Sequence, residues 1–201
     1  PDKKICVVGA GNWGRNHIRT LNGLNCLGGI VEPQKELHKE IKEEYPQTEI
    51  FDSLDAAMSE EFDGFILATP AETHFEIGME LIENNFPLLI EKPLTLHLKD
   101  AEKLIHKAEE KNANVMVGHL LLFHPAIKKI KSLIEGGKIG ELQYIYSNRL
   151  NLGTIRVHEN VFWSFAPHDI SILNYFTNSL PINIDTFGGA FIHPYNHDTT
   201  I

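Results

Sequence analysis

Residues 5–14 read ICVVGAGNWG, a short apolar run that leads directly into three glycines spaced as G-x-G-x-x-G. A helix-compatible segment, Arg15 to Leu24, follows at once. This order of strand, glycine turn and helix is typical of a loop that binds a dinucleotide. Gly9 permits the tight turn, Gly11 lets the backbone approach a pyrophosphate, and Gly14 allows the helix to pack closely on the strand. The N–H groups at the start of the helix would bind the phosphates.

Two further parts of the sequence complete the expected cofactor site. Asn12 and Trp13 lie inside the glycine loop, where we expect Trp13 to pack near the pyrophosphate rather than perform chemistry. Glu32 ends the predicted second strand and follows Gly14 by 18 positions, close to the ~20-residue offset of a carboxylate that binds the adenosine ribose. Because a carboxylate there repels a 2′-phosphate, we predict NAD rather than NADP. The alternative is that Glu32 only caps or solvates the following helix.

From Lys3 to Val117 the sequence alternates short apolar runs with longer amphipathic ones, as in strand–helix units of a parallel sheet. The helix from about His97 to Lys111 carries its apolar residues on one stripe. We therefore predict an α/β Rossmann domain over residues 1–118. Its predicted strands are Ile5–Gly9, Leu27–Val31, Glu49–Phe51, Gly64–Ala68, Leu88–Ile90 and Asn114–Val117.

The pattern changes after Val117, which predicts a second α+β domain over residues 119–201. A helix is expected from about Pro125 to Glu135, and it should end at the glycine pair that follows. Alternating residues predict strands at Glu141–Leu150 and Ile182–Ile192, and His168–Tyr175 is expected to be a short helix. These strands are too few for a stable independent sheet, so the second domain is expected to be incomplete here.

Composition excludes several classes of function. The net charge is −9 with no long basic run, which argues against nucleic acid or an anionic membrane as a partner. No apolar run approaches the ~20 residues of a membrane span, and no signal peptide opens the chain, so we expect a soluble, cytoplasmic protein. Neither His-Glu-x-x-His nor Cys-x-x-Cys occurs, and we predict no metal.

A second motif follows the apolar run Leu88–Ile90. Glu91-Lys92-Pro93 puts a lysine at the carboxyl edge of a central parallel strand, where open α/β sheets bind ligands. Thr69-Pro70 and His74 follow the preceding predicted strand, and GGKIG spans 136–140. Together with the glycine loop, this arrangement resembles the glucose-fructose oxidoreductase and inositol dehydrogenase family, Gfo/Idh/MocA, over the whole chain.

The resemblance implies a Rossmann domain followed by a domain with an open, mostly antiparallel sheet, through which members commonly form homo-oligomers. It implies that Thr69, Pro70, His74, Glu91 and Lys92 lie on the cofactor. Lys92 would lie beside the nicotinamide and the reacting hydroxyl. A positioned proton-transfer group of this kind is worth roughly a hundred- to ten-thousand-fold in rate.

The second catalytic element of the family is a histidine that matches His168. Members usually carry an aspartate four residues earlier, where this chain has Ser164. The departure leaves Lys92 and His168 as the expected proton-handling pair. Asp169 is either an orienter of that pair or a charge at a helix N-terminus.

The segment around Arg149, Arg156 and Asn160 resembles the sugar-nucleotide branch of the family, the 3-dehydrogenases of UDP-N-acetylglucosamine or its uronic acid. The two arginines could clamp a diphosphate, because the guanidinium fork matches phosphate oxygens, and Asn160 could bind sugar hydroxyls. The alternative is ordinary surface charge.

These features predict an NAD-dependent dehydrogenase that oxidises a ring hydroxyl, with C3 expected, of a UDP-N-acetylhexosamine or its uronate. Lys92 and His168 would handle the proton, and Asp169 would contact the substrate. Three alternatives remain open: an NAD-dependent glycosidase, an inositol or polyol dehydrogenase, and a non-catalytic NAD-binding regulator on the same fold.

Overall fold

The computed structural model describes residues 3–150 and 160–201. The chain divides into two compact units, Pro1–Gly118 and His119–Ile201. The predicted α/β class is confirmed, because the first unit holds a six-stranded parallel sheet and the second a small antiparallel one.

The sheet of the first unit is ordered β3-β2-β1-β4-β5-β6. From β1 to β3 the chain adds strands toward one edge of the sheet, and from β4 to β6 toward the other edge. The switch point, where open α/β sheets bind ligands at the carboxyl ends of the strands, therefore lies between β1 and β4. Each predicted strand is found, with ends that differ from the prediction by one residue at most. The strands are β1 Ile5–Val8, β2 Leu27–Val31, β3 Glu49–Phe51, β4 Gly64–Leu67, β5 Leu88–Ile90 and β6 Val115–Val117.

Five α-helices connect these strands. The predicted helix near His97 runs from Leu98 to Lys111 and ends at Asn112, whose left-handed backbone (φ 49°) is the conformation that commonly terminates helices. The helices are α1 Asn12–Gly23, α2 Lys35–Glu44, α3 Leu54–Met58, α4 His74–Glu83 and α5 Leu98–Lys111, with a short 3-10 turn at Ala71–Thr73.

Core residues pack on both faces of the sheet. Successive residues of a strand point to opposite faces, so Cys6 and Val8 join one apolar cluster while Val7 joins the other. Cys6 is fully buried, and burial raises the pKa of its thiol to about 12. The thiol therefore stays protonated and inert at neutral pH.

The glycine loop brings α1 unusually close to β1. A Cβ on Gly14 would lie 1.9 Å from the carbonyl oxygen of Gly9, a distance that no real side chain tolerates. Gly9 itself has φ +94°, and a Cβ there would lie 2.9 Å from the carbonyl oxygen of Ala68. Glycine is therefore required at both positions, by close approach at Gly14 and by backbone conformation at Gly9.

The second unit contains two helices and a two-stranded sheet within its described residues. Helix α6 spans Pro125–Glu135 as predicted, after a 3-10 turn at Leu120–Phe123. Helix α7 spans Val161–Thr177, and β7 (Gly188–Gly189) pairs antiparallel with β8 (Thr199–Thr200).

Two strand predictions for this unit were wrong. The segment 141–150 forms no strand, and the predicted strand Ile182–Ile192 is reduced to the two residues Gly188–Gly189, next to Phe187, which pairs with Ile201 through two backbone hydrogen bonds. An isolated strand buries little and leaves its backbone groups unpaired, so alternation alone does not stabilise one. The exposed side chains of Tyr144 (83%) and Tyr146 (79%) match that account.

The predicted short helix at His168 begins earlier, at Val161. The Asn160 side chain caps it by accepting a hydrogen bond from the Trp163 N–H, 3.0 Å away. The helix then continues through Pro167, a residue that usually ends or kinks a helix. Among the described residues, no helix has the length and apolar content needed to cross a membrane.

We expect Gly14→Ala to destabilise the protein by at least the ~1–3 kcal/mol typical of an overpacked core, because the added methyl group must displace the backbone of Gly9. Urea unfolding monitored by circular dichroism measures the change. The matched control is Gly23→Ala in the same helix, where an added Cβ meets no described atom within 4 Å. The control should be neutral or stabilising, since alanine favours helix over glycine by up to ~1 kcal/mol. Equal stability of the two variants would contradict the close-approach account.

Candidate active site

Three loops of the first unit meet at one edge of its sheet. They follow β1, β4 and β5, three strands that lie side by side in this order. The glycine loop follows β1, Thr69 and Pro70 follow β4, and Glu91-Lys92-Pro93 follows β5. Because the strands are parallel, their carboxyl ends bring all three loops to the same edge.

The N-terminus of α1 is built to receive an anion. Its N-cap is Gly11, and its first turn, Asn12 to Arg15, holds no acidic residue. A Cβ on Gly11 would meet no described atom within 4 Å, so open space lies above this backbone. The exposed side chain of Trp13 (46%) borders the same turn. Free N–H groups, a helix dipole and open space together fit a pyrophosphate.

Glu32 braces the glycine loop from the end of β2. Its side chain is buried, and one carboxylate oxygen accepts a hydrogen bond from the Ala10 N–H at 3.0 Å. The other oxygen accepts from the Gln34 N–H at 2.9 Å. Each carboxylate oxygen can accept a second hydrogen bond, so ribose hydroxyls remain chemically suitable partners. The carboxylate thus does more than cap or solvate α2.

His74 joins the loops that follow β4 and β5. It is almost fully buried, with Nδ1 2.8 Å from the Pro93 carbonyl oxygen and Nε2 3.0 Å from the Thr69 carbonyl oxygen. Both partners are acceptors, so both contacts become hydrogen bonds only when the two nitrogens each carry a hydrogen. His74 therefore contacts the backbone of both loops and is not exposed at their surface. The exposed Pro70 begins the turn in which its carbonyl accepts from Thr73.

Glu91 lies buried beside Lys92 and faces α1. Its Oε1 accepts a hydrogen bond from His17 Nε2 at 2.8 Å, and its Oε2 accepts from the Lys92 backbone N–H at 3.2 Å. Burial favours the neutral carboxyl, but the His17 hydrogen bond and charge, with the N–H and charge of Lys92, hold the pKa of Glu91 below its usual range. The Lys92 side chain is half-buried.

The expected residues of the second unit gather on or against α7. His168 is buried on this helix one turn after Ser164, which is also buried. Arg149 binds Asp169 through both Nε and an Nη, each 2.8 Å from a carboxylate oxygen. That hydrogen bond raises the pKa of Arg149. Asn160 caps α7, and Arg156 lies outside the described residues.

The sequence analysis did not predict two groups that form part of the candidate site. His17 was not predicted, although its place three residues after Gly14, one helical turn along α1, was a usable signal. The Ala10 N–H as the partner of Glu32 depends on the path of the backbone and had no sequence signal. Within the described part of the chain, no three histidine, cysteine or acidic side chains form a cluster that could hold a metal ion. The prediction of no metal stays a prediction.

Comparison with known proteins extends this description. The sequence profile of the Gfo/Idh/MocA family, described as an oxidoreductase family with an NAD-binding Rossmann fold, matches residues 3–119. UDP-N-acetylglucosamine 3-dehydrogenase from Acidithiobacillus ferrooxidans is 28% identical over 92% of this chain and 58% of its own length. A solved structure of that enzyme has a TM-score of 0.87 and 27% identity, covering 98% of this chain and 64% of the other.

An inositol 2-dehydrogenase from Corynebacterium glutamicum is 23% identical over 90% of this chain and 56% of its own length. The chain thus spans rather more than half the length of the curated relatives it matches. The resemblance inferred from the glycine loop and Glu91-Lys92-Pro93 is confirmed by the family profile, which covers residues 3–118 of the first unit and one residue beyond it. The chain belongs to the Gfo/Idh/MocA oxidoreductase family, with an NAD-binding Rossmann fold.

Proposed function

We propose that this chain is the cofactor-binding part and a portion of the substrate-binding part of an NAD-dependent dehydrogenase acting on a secondary alcohol. The main support for this proposal is that the glycine loop and Lys92 lie at the same edge of the sheet, at the carboxyl ends of β1, β4 and β5. In this proposal residues 1–118 bind the cofactor, and residues 119–201 serve substrate binding and oligomerisation.

The residues of the first unit fit a dinucleotide. The open space at Gly11 and the N–H groups of Asn12, Trp13 and Gly14 would hold the pyrophosphate. Glu32, at the end of β2, would accept hydrogen bonds from the adenosine ribose. When bound, the nicotinamide supplies the hydride acceptor.

Lys92 and His168 are the proposed proton-handling residues. Oxidation of an alcohol releases a hydride and a proton, so the site needs a base near the hydroxyl. Lys92 stands at the sheet edge where ligands bind, and its backbone is held by Glu91. His168 is buried on α7 and matches the family's histidine, while Ser164 takes the place of the usual aspartate. Each would accept or pass the proton of the hydroxyl.

For the substrate we propose a UDP-N-acetylhexosamine or its uronate, oxidised at C3. Support comes from the Acidithiobacillus relative, whose similarity extends through both units. Arg149 and Arg156 would bind the diphosphate and Asn160 the sugar. Since Asp169 fills the guanidinium fork of Arg149, a diphosphate would have to compete with that carboxylate or share the arginine with it. The inositol dehydrogenase relative favours a free polyol as the second candidate.

We also propose that the protein acts as a homo-oligomer in the cytoplasm. The second unit exposes large apolar side chains, including Ile182 (96%), Phe187 (74%) and Phe191 (80%). Large apolar side chains left this exposed are typical of a surface that other protein covers. No nucleic acid or membrane partner is part of the proposal.

Mixing the full-length protein and NAD with UDP-hexosamines, UDP-hexosaminuronates and free polyols should give reduced-nicotinamide absorbance with one class. We expect Lys92→Ala to lower this rate by roughly a hundred- to ten-thousand-fold, because the proton acceptor is lost. Lys99→Ala, an exposed lysine of α5, is the matched control and should keep the rate of the unmodified protein.

The outcomes of that experiment separate the candidates. A signal with free polyols alone would replace the UDP-sugar by a polyol substrate. Bound NAD without net reduction would contradict the dehydrogenase. Release of an aglycone would then indicate a glycosidase, and its absence a regulator.

We expect NAD to bind at least about tenfold more tightly than NADP, a difference of about 1.4 kcal/mol, because the Glu32 carboxylate repels a 2′-phosphate. Titration followed by tryptophan fluorescence measures both affinities, since Trp13 lies in the loop. Glu32→Gln removes the charge and should reduce the ratio of the NADP Kd to the NAD Kd. Glu36→Gln, on the exposed first turn of α2, should leave it unchanged. Equal affinities in the unmodified protein would refute the NAD preference.

A further inference from the structure

The buried carboxylate of Glu91 is enclosed by three different elements of the first unit. Its Oε1 faces His17 of α1, and its Oε2 faces the backbone N–H of Lys92. Gly118, at the end of β6, closes the third side, because a Cβ there would lie 3.1 Å from the carboxyl carbon and from Oε2. A buried carboxylate is costly unless it is paired, so these contacts fix its place.

His17 lies on the helix that packs closely against the glycine loop. It lies one turn after Gly14, which packs directly against the carbonyl of Gly9. The His17 ring is 23% exposed and the Glu91 side chain 8%, so the pair is largely shielded from water. A hydrogen bond to a carboxylate is stronger in such surroundings than at the surface.

The pair links two parts of the sheet that do not touch directly. Strand β1, which feeds the glycine loop, and β5, which leads to Lys92, are separated by β4. The hydrogen bond from His17 to Glu91 spans this gap at the carboxyl edge. Lys92 follows Glu91 directly, and its N–H binds the same carboxylate.

We propose that His17 and Glu91 are positioning residues that fix Lys92 relative to the phosphate-binding loop. The inference rests on the proposed function, in which Lys92 handles the proton and the loop holds the cofactor. Neither residue takes part in the proton transfer. Their effect comes through geometry, since a misplacement of about 1 Å can cost on the order of a hundredfold in rate.

The test uses three variants of the full-length protein. His17→Ala removes the contact, whereas His17→Gln keeps an N–H donor for the carboxylate and should restore part of it. Gly118→Ala leaves every hydrogen-bonding group in place but must displace the Glu91 carboxylate by a few tenths of an ångström. His106→Ala, an exposed histidine of α5, is the matched control.

In turnover measurements, His17→Ala should lower kcat by about tenfold to a hundredfold. The KM of the alcohol and the Kd of NAD should change by less than about threefold, because His17 is not proposed to contact the bound alcohol or cofactor. His17→Gln should recover at least part of kcat, Gly118→Ala should show a smaller loss, and the control should show none. A purely structural role would instead lower the folded fraction and leave kcat per folded molecule unchanged.

A second readout does not depend on turnover. Trace acetylation followed by mass spectrometry reports the reactivity of individual lysine amines. His17→Ala and Gly118→Ala should each change the acetylation rate of Lys92 relative to the unmodified protein, with Lys99 of the same molecules as internal reference. Because this readout needs no substrate, it separates failure of the positioning role from failure of the dehydrogenase proposal.

Unchanged Lys92 reactivity in both variants would overturn the positioning role. So would a kcat loss in His17→Ala that His17→Gln does not relieve. If His17→Ala does not fold, the proposal is tested with Gly118→Ala and His17→Gln, because both variants keep a hydrogen-bond donor for the Glu91 carboxylate.

Discussion

The first unit depends on the contact between Gly14 of α1 and the carbonyl of Gly9. This approach, closer than any side chain would permit, sets α1 against β1 and points the N-terminus of the helix at the carboxyl edge of the sheet. The open space at Gly11 and the availability of the first N–H groups both follow from that orientation. The candidate anion site is therefore a consequence of packing, and its geometry requires no cationic side chain.

Buried polar side chains hold the loops around this contact. Glu32 fixes the glycine loop through the Ala10 N–H, and His74 ties the two loops after β4 and β5 through carbonyl groups. Glu91 joins the last of these loops to α1 through His17. Glu32 and His74 contact backbone atoms of these loops directly, and Glu91 also accepts a hydrogen bond from the Lys92 backbone N–H. Each of these side chains therefore constrains the path of a loop. Irregular loops carry the candidate functional groups, and these contacts hold the loops in place.

The second unit is organised differently. Its described residues pack around α6 and α7, and a buried lysine, Lys131, joins them by donating to the Asn178 side chain at 2.8 Å. The alternating segments that predicted an open sheet lie exposed, and Tyr144 and Ile182 show how much apolar surface this leaves. A sheet is stabilised by cross-strand pairs, so a segment with strand-like alternation becomes a strand only where a neighbour is available. Helix α7 also differs from the predicted short helix, because it begins at Val161 with Asn160 as its cap and continues through Pro167, a residue that disfavours a helix locally.

The sequence alone was enough to predict the six parallel strands and, from the glycine loop and Glu91-Lys92-Pro93, the family. Each of these features appears as a local periodicity or a fixed spacing along the chain. Hydrophobic alternation and glycine spacing are properties of neighbouring residues, so they can be recognised in the sequence before the fold is known. Only the tertiary structure decided which polar groups meet. The pairing of His17 with Glu91 joins residues 74 positions apart, and that of Ala10 with Glu32 joins residues 22 positions apart. Such contacts depend on strand order and on the depth at which α1 packs, and neither quantity is encoded in the residues on either side of the contact.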